Sequence, residues 1–137
     1  MKLLILSDGN PDEIKRYYCD PLGVTDFQIV KIWKYKKKTP VSDIKTCLQE
    51  QVYPKITTYI PNYVLVADSE YFKVMAKVTK PDAYIGYFFG DTFKFLYVPS
   101  YKQIFYRPEE TKEKITRALD SIKASEQGKY CSPGSNI

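Results

Sequence analysis

The chain has 137 residues, a formal charge of +5 and an apolar share of 44%, which suits one domain with its own core and leaves two crowded. It contains no histidine, so it lacks the commonest general base, triad partner and metal ligand, and any catalysis would rest on carboxylates, lysine, tyrosine or cysteine. Cys19, Cys47 and Cys131 are odd in number and include no CxxC pair, which argues against a zinc site or a disulfide framework and suits a reducing cytoplasm.

Residues 2–6 (KLLIL) form a continuous apolar run, the pattern of a strand buried on both faces of a parallel sheet. The run is too short for a membrane span or a signal peptide. It stops at Ser7-Asp8-Gly9-Asn10-Pro11, where Asn10 can cap a short helix reaching about Tyr18, with Pro11 first and Asp12-Glu13 in its first turn. A second strand is expected over Phe27–Trp33. Thr39-Pro40 then opens a helix with Val41, Ile44, Cys47, Leu48 and Val52 on one face, which makes Cys47 a small core residue.

Asn62–Asp68 reads as a third buried strand and Ser69–Lys77 as a helix with Tyr71, Phe72 and Met75 inward. A turn-rich connection over Thr79–Gly90 has room for an edge strand at Tyr84–Phe88, and the fourth strand is expected over Thr92–Val98. Arg107-Pro108-Glu109-Glu110 opens a last helix with Ile115, Ala118, Leu119 and Ile122 as its apolar stripe. Residues 1–124 are thus expected to form the domain, and 125–137 a polar tail or linker. Alternating strands and helices predict an α/β fold: a three-layer α/β/α sandwich around a small, mostly parallel four-stranded sheet.

In such a sheet the carboxyl ends of all four strands share one rim, which is where α/β proteins bind ligands. Asp8, the Lys34–Lys38 run, Asp68 and Pro99-Ser100-Tyr101 would meet there. Five of the eight residues from Lys31 to Lys38 are lysine, interleaved with Trp33 and Tyr35. Such a run either tracks phosphate while its rings stack on bases, or is a solvated loop guarding a sheet edge. The pI near 9.0 and the 13 tyrosines leave both readings open. Asp8-Gly9-Asn10-Pro11 has too few glycines for a phosphate-binding fingerprint, which disfavours a dinucleotide or nucleoside-triphosphate fold. Asp8 is either a turn residue or a ligand-binding acid.

Four segments, LILSDGNP, FQIVKIWKYKKKTPVSDIKTCLQEQVYPKI, NYVLVADSEYFKVM and FKFLYVPSYKQIFYRPEETKEKI, follow one another in an order that resembles the uracil-DNA glycosylase superfamily. The chain looks most like the degenerate version found at the N-terminus of some tailed-bacteriophage A-family DNA polymerases. The resemblance covers most of residues 1–124, and no single motif is intact. Pro99-Ser100 match the end of the family's His-Pro-Ser motif, but Val98 stands at the histidine and can neither donate to a uracil anion nor stabilise an oxyanion. Lys31 falls about where the base-reading asparagine is expected and lacks an acceptor. Cys47 matches one cysteine of the iron–sulfur members without its partners, so no cofactor and no metal is implied. Asp8 could still act as the water-activating acid.

The resemblance therefore implies a non-catalytic, DNA-binding accessory domain of a phage replication protein. Its phosphate contacts would be Lys34, Lys36, Lys37, Lys38, Lys102 and Arg107, with Lys31 and Ser100 on the same rim and Trp33, Tyr35, Tyr101 and Tyr106 as stacking groups. Six such contacts imply a salt slope of roughly −4 to −5. Two alternatives stand beside it: a residual glycosylase working through Asp8, and a protein-interaction module in which exposed tyrosines recruit a polymerase domain, a replication protein or a host factor.

Overall fold

The computed structural model describes residues 1–132. Four strands, β1 (Lys2–Ser7), β2 (Asp26–Lys31), β3 (Tyr63–Val66) and β4 (Phe95–Tyr97), form one all-parallel sheet in the order β2-β1-β3-β4. β1 lies inside the sheet, with Leu3 beside Phe27 on one side and Tyr63 on the other. That position explains its unbroken apolar run: Leu3, Leu4, Ile5 and Leu6 are fully buried because both faces are covered.

Five α-helices cover the sheet: α1 (Pro11–Ile14), α2 (Val41–Cys47), α3 (Tyr53–Tyr59), α4 (Ser69–Ala76) and α5 (Pro108–Glu126). The expected α/β sandwich is therefore the observed one. α2 packs beside α4, whereas α5 packs beside the turn over 20–22 that follows α1. Asn10 caps α1 as expected, its side-chain oxygen accepting from the Asp12 and Glu13 N–H groups. The stripe Ile115, Ala118, Leu119 and Ile122 is buried under α5, and Cys47 is buried in the core.

Two helices widen into π-turns, at Lys15–Cys19 and Leu48–Val52. Each widening comes just ahead of a proline, Pro21 and Pro54. A proline ring collides with the carbonyl four residues back and offers no N–H; one extra residue in the turn moves that carbonyl aside, so the chain continues as α3 after Val52.

Several expected boundaries are corrected. β2 ends at Lys31 rather than Trp33, although the Ile32 N–H still reaches the Ser7 carbonyl at 3.2 Å. β3 and β4 are also shorter than their apolar runs. No edge strand forms over Tyr84–Phe88: a 3-10 turn occupies Pro81–Tyr84, and one antiparallel bridge joins Phe89 to Phe95. α5 continues past Ser125 to Glu126, and the Tyr130 hydroxyl donates to the Gly86 carbonyl at 2.7 Å while its ring packs against Phe88. The expected tail therefore begins later than residue 125, and its last part, 133–137, lies outside the described residues.

Candidate nucleic-acid interface

All four strands run the same way, so their carboxyl ends open onto one rim. The chain order reverses between β1 and β3, since β2 lies on the far side of β1, and such a switch point leaves a crevice between the loops that follow the two strands. Ser7-Asp8-Gly9-Asn10 stands on one side of that crevice and Ala67-Asp68 on the other.

Tyr101 occupies part of this rim. It was expected to point outward; instead it is 7% exposed. Its hydroxyl accepts from the Asn10 N–H (2.8 Å), and its ring lies stacked on Tyr17 with centroids 5.3 Å apart. The ring passes so close to the first loop that a Cβ at Gly9 would lie 2.6 Å from it, which is why a glycine stands there. The Tyr18 hydroxyl donates to the Pro99 carbonyl and accepts from the Tyr101 N–H, both at 2.8 Å. Burial pushes the Tyr18 phenol well above its ordinary pKa. Val98, at the position where the resembled family has its histidine, is fully buried.

Asp8 is engaged by the other end of the same segment. Its carboxylate lies 3.1 Å from the Lys102 ammonium, so one acid and one base of the expected site satisfy each other. Asp8 also borders an open hollow of about 440 Å³ whose other walls include Lys31, Trp33 and Lys34.

Lys34 is likewise committed inward. Its ammonium lies 2.8 Å from Asp68 and 2.5 Å from Glu70. Burial works against that charge, yet the hydrogen bonds it donates to Asp68 and Glu70 outweigh it and leave the Lys34 pKa raised. The two carboxylates move in opposite directions. Asp68 is buried and ends up raised, despite accepting from Lys34 and from the Tyr71 N–H. Glu70 is less buried, and its bonds to Lys34 and to the Thr39 N–H (2.9 Å) bring it below the usual range.

These bonds fix the loop that carries the remaining lysines. The Tyr71 hydroxyl donates to the Trp33 carbonyl (2.7 Å), Glu70 holds Thr39, the Thr39 hydroxyl accepts from the Tyr35 N–H, and the Tyr35 hydroxyl donates to Asp43. Between these anchors Lys36, Lys37 and Lys38 are exposed, as is Lys31, and none of the four makes an ion pair among the described residues. Trp33 is half-buried against the core, so its faces are only partly open.

The far end of the rim carries a 3-10 turn, Tyr101–Phe105, which follows the Ser100 cap. Phe105 and Tyr106 are 83% and 86% exposed, the two most exposed large apolar side chains among the described residues. Arg107 is exposed, with its guanidinium 3.9 Å from the Glu110 carboxylate. Reasoning from sequence had missed Tyr18, Glu70 and Tyr71 as organisers and Phe105 as an exposed ring. The adjacent Phe105-Tyr106 pair in a polar turn was the one available signal.

The arrangement can hold an anion along the exposed lysines. Among the described residues no group of three Cys, Asp or Glu side chains gathers to hold a metal ion, and no helix is long and apolar enough to cross a membrane. No family model and no curated protein matches the sequence. Fold and rim define a small parallel α/β sandwich with a basic edge.

Proposed function

We propose that this domain binds DNA without acting on it chemically, as an accessory domain in the N-terminal region of a phage DNA polymerase, working in the host cytoplasm. The observation that carries the reading is the tethered lysine loop. Glu70 and Tyr71 hold its ends while Lys36, Lys37 and Lys38 are exposed and make no ion pair among the described residues. A pre-ordered row of unpaired cations releases counterions when it meets phosphate and loses little freedom in doing so. Asp8, by contrast, is matched by Lys102, and Val98 is buried, which supports holding over cutting.

The contact set differs from the one drawn from sequence. Lys34 and Lys102 face carboxylates, leaving Lys31, Lys36, Lys37, Lys38 and Arg107 for phosphate. Five contacts correspond to a slope of log affinity on log salt of about −3.5 for a single strand and about −4.5 for a duplex. A fluorescence titration of labelled oligonucleotides across a salt series tests this. Lys36/Lys37/Lys38→Glu should abolish binding, and the native chain and Asp8→Asn should both leave a uracil-containing strand chemically intact. No binding at low salt, or abasic product from a uracil-containing strand, would overturn the proposal.

A further inference from the structure

On the face of the sheet opposite the lysine loop, α1 and α5 leave a groove in two parts. One hollow of about 290 Å³ lies between the α1 region and α5, floored by Ile115 and Leu119 and edged by Lys112 and Lys123. A second, of about 670 Å³, is walled by Ile104, Phe105 and Tyr106, with Lys102 at its edge. Arg16 and Tyr17 line both, so the hollows are neighbours separated by one side-chain pair. The Arg16 guanidinium lies 5.3 Å from the centre of the Tyr17 ring.

We propose that this groove docks an acidic, amphipathic segment of a protein partner, with one apolar anchor in each hollow and its carboxylates along Arg16, Lys112 and Lys123. Charge complementarity favours that occupant. Of the four cations at its edge, Lys102 is held by Asp8 at 3.1 Å, whereas Arg16 and Lys123 face their nearest acids, Glu13 and Asp120, only at 3.9 and 4.0 Å. Pairs that long and that exposed are weak, so an incoming carboxylate can displace them. Lys112 makes no ion pair among the described residues.

The floor favours protein over nucleic acid. Bases stack on open aromatic faces, but at the floor the Tyr17 and Tyr101 rings are taken up by each other and Ile115 and Leu119 are aliphatic, so open rings stand only at one wall, Phe105 and Tyr106. Apolar side chains fill such hollows, and exposed aromatic walls such as Phe105 and Tyr106 are typical of binding hot spots.

The test uses the full chain and a labelled synthetic amphipathic peptide of about 15 residues, with leucine anchors and glutamates on its polar side. It should bind at low salt at least about tenfold tighter than the same peptide carrying lysine for glutamate. Arg16→Glu and the pair Phe105→Ser/Tyr106→Ser should each weaken it about tenfold without altering thermal unfolding, because all three side chains are exposed. Lys36/Lys37/Lys38→Glu should leave peptide binding within about twofold while removing oligonucleotide binding, so the two surfaces succeed or fail separately. Equal binding of the lysine peptide, or no binding of the glutamate one, would sink the proposal. So would displacement of the peptide by a single-stranded oligonucleotide that Arg16→Glu weakens equally, which would make the groove a nucleic-acid surface.

Discussion

The hydroxyl of Tyr18 closes the rim at the scale of one atom. It satisfies a buried carbonyl at Pro99 and a buried N–H at Tyr101 at once, across more than 80 residues of chain. Tyr18→Phe keeps the ring and leaves both backbone groups unpaired, so it should cost about 2 kcal/mol, measurable as a lower urea midpoint with an unchanged m-value. The same substitution should loosen Tyr101 and with it the Asn10 contact. None of this was legible in the sequence. A tyrosine suits a buried, hydrogen-bonded site or an exposed stacking site equally well, and what decided for Tyr101 was the close approach of Gly9 and Tyr17, which are remote in the chain.

At the scale of elements, two helices end in residues that carry a left-handed backbone without being glycine. Ile60 follows α3 with φ +52°, and Lys77 follows α4 with φ +57°. Both are exposed, so neither side chain compensates by burial. Ile60→Gly and Lys77→Gly should each raise stability by about 0.5–1 kcal/mol, the relief of the left-handed penalty less the extra entropy of an unfolded glycine. Chemical denaturation of the two single variants and of the double variant checks this, and the gains should add because the sites are independent. β1, α4 and α5 were readable because apolar period and caps lie within each segment. β4 was read in the right place but with too early a start: Thr92, Phe93 and Lys94 have strand-forming neighbours, but pairing with β3 starts only at Phe95.

Considered as a whole, the chain has no group with an ordinary pKa near neutrality on any side chain, since it lacks histidine. Its stability should therefore be flat from about pH 6 to about pH 9. In acid, Glu70 and Glu110 have folded-state pKa values below their ordinary ones; their contribution is present above about 4.5 and is lost as pH falls through the lower folded value. In alkali the sign reverses. Burial raises Tyr18, Tyr71 and Tyr97, and pushes the Cys19 thiol up to about 12. The folded state then keeps protons that the unfolded chain releases, so stability should fall from about pH 9, where the unfolded Cys19 thiol ionises, and more steeply above about pH 10 as the phenols follow. Urea midpoints across pH, read beside the tyrosinate absorbance band, check this: the buried phenols should ionise together with unfolding.

The fold class was legible because strand and helix patterns alternate along the chain, whereas the state of the rim lysines depends on carboxylates that strand order alone brings near them. That order has a further consequence for how the molecule assembles. β1 is one of two inner strands, yet it precedes the other three along the chain, and its neighbours come from residues 26–31 and 63–66, with the sheet completed only at 95–97. Until then its leucines have no cover. Every strand pairing closes a long loop, so folding should be slow for a chain this short, and its most adhesive segment is the one that waits longest for its partners.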